Sequence, residues 1–235
     1  MMFSLSAISV VIPAKNEEKT IADLVKSALE YSNDVLVIDG YSKDKTAEFA
    51  RLAGARVVNV PPKGKGHALC SSIEYIKNPI TVFMDADGSH IPEDIPRLVA
   101  PILEGRADHV SGSRLFGGSD ELHGTFDETL RLMGSSFITA CINWKFKIRL
   151  SESQNGFRAI KTDLLRELKL REKITTIEQE MIIKTLKLGY RMAEVPTHER
   201  RRFFGVSNIR LGRVSFRYVY SFIKYLFFTR SKKGE

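Results

Sequence analysis

Hydrophobic and polar positions along the first half of this chain follow two alternating rhythms. Short apolar runs at Ile8–Ile12, Val35–Ile38 and Ile80–Met84 read as strands, the last of the buried parallel-sheet kind, and Arg56–Val60 and Asp108–Gly112 read as two more. Helical patterns fill the gaps: Glu17–Tyr31, Ser42–Ala53 ended by Gly54, Lys65–Lys77, and Pro92–Glu104, with proline near its first turn and Gly105 after it. Strands that alternate with helices at this spacing predict a parallel, doubly wound α/β sheet.

After Arg114 the rhythm stops. Leu115–Gly124 reads as a polar loop. Thr125–Lys147 reads as a long amphipathic helix whose apolar face uses Phe126, Leu130, Met133, Phe137, Cys141 and Trp144. Phe157–Ile160 and Arg191–Val195 are further strands, Thr176–Leu188 a helix stopped by Gly189, and Arg210–Phe228 a final helix. The expected organisation is one α/β domain over residues 1–208, followed by a basic amphipathic helix and tail over 209–235. With 235 residues the chain is long enough to bury a sizeable core.

Composition narrows the class. A hydrophobic share of 43% with 27% charged residues describes a folded domain. Cys70 and Cys141 show no metal-ligand spacing, so a reduced, cytoplasmic setting is the simplest account. The apolar run at Ala7–Ile12 is too short for a signal peptide, and no stretch approaches the roughly 20 apolar residues that cross a bilayer. The net charge of +8 is concentrated late. Ten basic residues lie between Arg200 and Lys233 with no acid among them. Such a segment calls for phosphates or an acidic membrane surface. Nucleic acid is not the expected partner, because no signature of a DNA- or RNA-binding module appears.

The chemistry concentrates in the stretch FMDADGSH. Asp85 and Asp87 follow the fourth strand where it must end, with Gly88 just beyond. Ligands of open α/β sheets bind outside the carboxyl ends of the strands, so these carboxylates face the natural crevice. Two acids at i and i+2 suit a hard divalent cation shared with a diphosphate. An ordinary acidic turn is the bland alternative. The Pro13–Glu17 loop after the first strand reads either as a ligand-binding loop or as a helix cap with Asn16 at the N-cap. Asp39 closes the second strand, where a carboxylate can take ribose hydroxyls or a base N–H. Lys63-Gly64-Lys65-Gly66 opens the third helix, and Lys65 there favours a nearby anion, although the spacing is not that of a Walker loop. His67, His90, His109 and His123 read as structural or surface residues, whereas His198, beside the arginines, is a candidate phosphate or metal contact. Arg200-Arg201-Arg202 with Phe203-Phe204-Gly205 reads as a solvated loop or as one that closes over a diphosphate.

Taken in order, the blocks VVIPAKNEEKTI, VLVIDGYSKDKTAEFA, GKGHAL, FMDADGSHIPEDIPRLV, VSGSRL, SQNGFRAI, GYRMAEVP and RRRFFGVSN resemble the family 2 glycosyltransferases of GT-A fold, most closely the polyprenyl-phosphate (dolichol-phosphate) mannose synthase branch. The resemblance implies a Rossmann-like, mostly parallel central sheet flanked by helices. It places Pro13, Lys15, Glu17, Asp39 and Lys65 at the nucleotide-sugar donor. Asp85, Ala86 and Asp87 match the D-x-D motif that holds Mg²⁺ or Mn²⁺, with Ser89 assisting at the metal. Arg114 and Arg131 match residues that position sugar and acceptor phosphate. Ser135, one turn beyond Arg131, with Asn155 and Arg158 of the NGFR segment, completes the implied acceptor site. Arg202 and Asn208 match the loop that closes on the donor. Two departures stand out: Gly40 follows Asp39 where the family often has a second aspartate, and Asn208 stands where lysine is common.

The implied reaction is inverting transfer of a hexose, with mannose from GDP-mannose favoured and UDP-glucose next, to a polyprenyl or dolichyl phosphate. Asp87, Arg114 and Arg202 are the expected catalytic residues. The same fold acting on a soluble acceptor is the alternative. A lipid acceptor requires peripheral attachment at the cytoplasmic face of the membrane, and the final helix suits this. Arg210, Arg213, Arg217 and Lys224 recur on it among Tyr218, Phe222, Tyr225 and Leu226. A homodimer or a small membrane subunit is equally compatible with that helix.

Overall fold

A computed structural model describes residues 5–120, 126–200 and 211–228, of which 5, 126–132 and 211–216 are described by their backbone alone. The strands are β1 (Ile8–Ala14), β2 (Asp34–Asp39), β3 (Arg56–Asn59), β4 (Ile80–Phe83), β5 (His109–Ser113), β6 (Arg158–Lys161) and β7 (Met192–Pro196). The helices are α1 (Ile21–Leu29), α2 (Thr46–Leu52), α3 (Lys65–Ser72), α4 (Ile95–Leu103), α5 (Arg114–Gly117), α6 (Phe126–Phe146), α7 (Thr162–Glu167), α8 (Ile177–Lys187) and α9 (Leu211–Ile223), the last continuing as a π-helical stretch over Lys224–Phe228.

One seven-stranded sheet runs in the order β3-β2-β1-β4-β6-β5-β7. The strands are parallel except β6, which lies antiparallel to both β4 and β5. The expected mostly parallel sheet is found, and its one reversed strand is β6, which enters between β4 and β5 from the opposite direction. Its pattern carries no mark of direction, because a strand buried on both faces reads the same either way. The long fully buried strands explain the apolar runs. β2 is buried at every position, and each face of the sheet has its own core. One includes Ile12, Val37, Val82 and Leu98; the other includes Val11, Ile38, Phe83, Leu164 and Met181.

A third core sits to one side, where Ile138 and Ile142 of α6 meet Ile182 and Ile183 of α8 and Phe222, Tyr225 and Leu226 of the last helix. This overturns the expected inward face of α6 at Met133, Phe137 and Trp144, whereas Cys141 packs against the core as expected. The side chains of Phe126 and Leu130 lie outside the described residues. Met133, Phe137 and Trp144 are 66%, 68% and 81% exposed, whereas Ile142 is wholly buried. The helix carries apolar residues on both sides. The β-branched i, i+4 pair Ile138 and Ile142 takes the core, with Cys141 and Phe146 of the same helix packed partly against it.

Two boundaries also move. α1 starts at Ile21 and not at Glu17, and Asn16 is no helix cap: at φ +58° its Oδ1 accepts the Lys43 N–H (2.8 Å). The β1–α1 loop is thereby stitched to the β2–α2 loop, with the Glu17 N–H on Thr46 Oγ1 (2.8 Å) as a second tie. Part of the expected loop after Arg114 is the short helix α5, capped by Ser113, whose Oγ accepts the Phe116 N–H (3.2 Å).

Candidate active site

Parallel register brings the ends of β1, β2 and β4 to one edge: Ala14 lies opposite Asp39, and Phe83 opposite Val11. The Pro13–Glu17 loop, Asp39 and the Asp85–Ser89 turn therefore share a crevice at the carboxyl end of the sheet, as a doubly wound topology requires.

The acidic turn is pinned on several sides. Gly88 has φ +78°, a left-handed conformation that an L side chain resists. Asp87 Oδ1 accepts both the Ser89 N–H (3.1 Å) and the Ser89 hydroxyl (2.7 Å). The Asp85 N–H donates to His90 Nδ1 (3.0 Å), which leaves the ring proton of neutral His90 on Nε2. That ring stacks on Phe157 at 4.9 Å, and burial is the main force that lowers its pKa. The Ala86 carbonyl takes the Thr20 hydroxyl (2.7 Å) from the first helical segment. These ties leave the Asp85 and Asp87 carboxylates half-buried at the mouth of the crevice.

Lys65 reaches into the site from the start of α3. Its ammonium lies 2.6 Å from Asp85 and 2.9 Å from Glu178, which is buried near the start of α8. Burial works against the charge, but the two carboxylates hold the ammonium above the ordinary lysine range. Glu178 Oε2 is buried without a hydrogen-bond partner among the described residues. The backbone passes so close that a Cβ on Gly156 would sit 2.6 Å from Lys65 Nζ and 3.0 Å from Asp85 Oδ2. Only glycine fits there without displacing the pair.

Arg114 is clamped between Glu152 and Glu199, each at 2.9 Å. Burial disfavours its charge, yet these glutamates keep its pKa raised. The Arg200 N–H donates to the Ser89 carbonyl (2.9 Å), so the arginine-rich segment begins against the acidic turn. Asp39 is buried and accepts the Ser42 hydroxyl (2.5 Å) and N–H (3.0 Å). Pro13 and Glu17 are half-buried, and Lys15 is exposed.

Two of the expected acceptor residues, Asn155 and Arg158, are engaged with each other and with their neighbours. Arg158 is 1% exposed, and its guanidinium donates to the carbonyls of Asn155 and Glu178 (3.1 Å to the latter). Asn155 accepts the Phe157 N–H (2.8 Å) and donates to Glu152 (3.3 Å). In this structure both hold the loop that carries Gly156. Ser135 is half-buried on α6, and Thr139 bridges its carbonyl to the Ser153 hydroxyl, each at 2.9 Å. The side chain of Arg131 and all of His123, Arg202 and Asn208 lie outside the described residues. The His198 ring bonds Gly117 O (3.2 Å) and Asp120 (3.1 Å).

Sequence reasoning missed Glu178, Glu152, Glu199 and the His90 support. Glu178 left a trace, since Glu178 and Glu180 sit among Ile177, Met181, Ile182 and Ile183. Acids flanked so closely by apolar residues are buried only when paired. Among the described residues no group of three or more histidines, cysteines or acids could hold a metal. An ion at Asp85 and Asp87 would therefore keep several positions for phosphate and water, which fits Mg²⁺ or Mn²⁺ and not a closed structural site.

The profile of glycosyl transferase family 2 matches residues 9–168, a span that contains Lys65, Asp85, Asp87 and Arg114. The chain belongs to that family. This glycosyltransferase is 33% identical over 197 residues to an uncharacterized protein of Methanocaldococcus jannaschii, covering 80% of this chain and 79% of the relative. It is 28% identical over 203 residues to a dolichyl-phosphate hexose transferase of Haloferax volcanii, covering 85% and 86%. Its fold is GT-A. It aligns with glucosyl-3-phosphoglycerate synthase of Mycobacterium tuberculosis, solved with Mn²⁺, UDP-glucose and phosphoglyceric acid, at TM-score 0.77 and 26% identity, covering 98% of this chain and 83% of that one. The same enzyme solved with Mg²⁺ and UDP aligns equally well, at TM-score 0.77.

Proposed function

We propose that this glycosyltransferase moves a hexose, with inversion, from a nucleotide-diphosphate sugar to a polyprenyl or dolichyl phosphate at the cytoplasmic face of a membrane. The observation that carries this reading is the pair Asp85 and Asp87 at the strand edge, backed by Lys65 and Glu178. GDP-mannose is the first donor to test. Asp85 and Asp87 would hold the Mg²⁺ or Mn²⁺, with Ser89 orienting Asp87. The ion would supply Lewis-acid stabilisation of the departing diphosphate. Lys65, steadied by Glu178, is within reach of a diphosphate oxygen at the same edge, and Arg202 would add a guanidinium as the loop after Arg200 closes. A phosphate monoester acceptor has a second pKa of roughly 6 and is largely anionic near neutrality. It needs orientation more than deprotonation. Arg114 and Arg131 are assigned that work, and no general base is required.

The lipid acceptor draws support from surface chemistry. No described helix is long and apolar enough to cross a membrane. Yet Phe137 and Trp144 on α6, with Tyr220, Ile223, Phe227 and Phe228 on the last helix, are exposed large apolar side chains. Lys145 lies over the Phe227 ring at 4.7 Å and joins the two groups. Aromatic residues interleaved with lysine and arginine suit an anionic bilayer surface.

A second reading rests on the complex with phosphoglyceric acid: the same transfer from UDP-glucose to a soluble phosphorylated acceptor. One assay separates the two. Radiolabelled GDP-mannose and UDP-glucose are each supplied with polyprenyl phosphate or with a soluble phosphate ester, in manganese or magnesium. Label should enter the lipid phase. In Asp87→Ala transfer should fall about a hundredfold or more with the fold intact, and retained turnover there would remove the metal role.

A further inference from the structure

Away from the Asp85 crevice, a cavity of about 230 Å³ opens between the 171–174 loop and the last helix. Arg171, Lys173, Arg217 and Lys224 line it, with Glu172 and Tyr220. Four cations therefore surround one carboxylate, and that carboxylate is already engaged. Glu172 accepts the Thr176 hydroxyl (2.7 Å), the Tyr225 hydroxyl (3.0 Å) and Lys224 (3.4 Å). Arg171, Lys173 and Arg217 have no acidic partner among the described residues, and all three are exposed. Like charges gathered around a concavity raise its potential and repel one another until an anion enters.

The wall of this cavity is not an independent surface loop. The Lys173 carbonyl accepts the His67 N–H (3.0 Å), and a Cβ on Gly64 or Gly66 would meet the carbonyls of Lys173 or Glu172 at 2.4 and 2.5 Å. The 171–174 loop is thus seated directly on the glycine turn that carries Lys65. Tyr220 belongs at once to the cavity and to the exposed aromatic side of α9.

We propose that this cavity is a second phosphate-binding site, distinct from the donor and acceptor positions, in which Arg171, Lys173 and Arg217 grip a phosphate group. Guanidinium forks with a flanking lysine match phosphate oxygens, and Tyr220 can add a hydroxyl donor. The phosphate belongs either to a membrane lipid headgroup or to a soluble phosphate. The site stands whether or not the transfer reading holds.

Binding by the full-length protein is measured with inorganic phosphate by calorimetry and with phosphatidylcholine vesicles with and without phosphatidic acid by co-sedimentation. Arg217→Gln and the double variant Arg171→Gln/Lys173→Gln are compared with Lys26→Gln, an exposed lysine of α1, after circular dichroism confirms that each is folded. The site variants should bind at least one probe roughly tenfold more weakly than Lys26→Gln, in line with loss of a charge-assisted contact. Loss confined to inorganic phosphate identifies a soluble ligand, and loss on phosphatidic-acid vesicles identifies a headgroup. Asp87→Ala should retain this binding, so failure of the transfer assay and failure of this site are separate results. Failure of the wild type to bind either probe, or site variants indistinguishable from Lys26→Gln on both, would overturn the proposal.

Discussion

At the scale of single residues, the Asp85 crevice depends on contacts too tight to vary. Gly156 is not among the glycines with positive φ, yet its missing Cβ is what lets Lys65 reach Asp85 and Glu178. Gly156→Ala should lower turnover by about ten- to a hundredfold, the order expected when a catalytic group moves by an ångström. The thermal midpoint should change little, because the displaced atom is the end of a flexible side chain. Steady-state kinetics beside a melting curve decide it, and unchanged turnover would mean that the Lys65–Asp85 pair has slack. Asp85 and Asp87 stand out in the chain as two acids after an apolar run, a pattern shared by an ordinary acidic turn and a cation-holding pair. The chain hides their supports. Glu178, Glu152 and Glu199 are scattered through different elements, and only folding makes them neighbours of Lys65 and Arg114.

Secondary-structure elements were legible where one face decides their fate. Each of the five early strands and the helices between them appear within a few residues of their expected places. The α6 helix defeats that logic, because its aromatic stripe and its isoleucine stripe are both apolar and the pattern alone cannot choose. The structure puts Ile142 inside and Trp144 outside. Ile142→Ala should then cost about 2–5 kcal/mol of stability, the range for emptying a packed isoleucine site, whereas Trp144→Ala should stay within about 0.5 kcal/mol. Urea denaturation of the two variants checks this. A large loss in Trp144→Ala would restore the expected face.

For the whole molecule, buried histidines set the acid limit. His109 is fully buried, shares Nδ1 with the Thr185 hydroxyl at 3.0 Å, and leaves Nε2 without a partner among the described residues. Burial, and next the charge of Arg158, push its pKa well below the usual histidine range. His67 and His90 are lowered too, chiefly by burial. An unfolded histidine takes up its proton near pH 6.5, so below about that value the unfolded chain binds more protons than the native one. Stability is therefore full above that pH and declines as pH falls toward the lowered native values. Urea midpoints measured from about pH 7.5 to 5 should show this slope, and His109→Gln should flatten it by about one proton. An equal slope in that variant would assign the effect to other groups. None of this was legible in the sequence, where His109 is one polar residue in a short strand.

The reversed strand β6 has a further consequence for how the chain is made. β5 finds its two neighbours only in β6 and β7, both of which follow it by dozens of residues. The first four strands can pair among themselves as they leave the ribosome, but β5 must wait, its edges open, until residues 158–161 arrive to fill the slot. Synthesis thus leaves the half of the sheet that carries Arg114 as the last part to close.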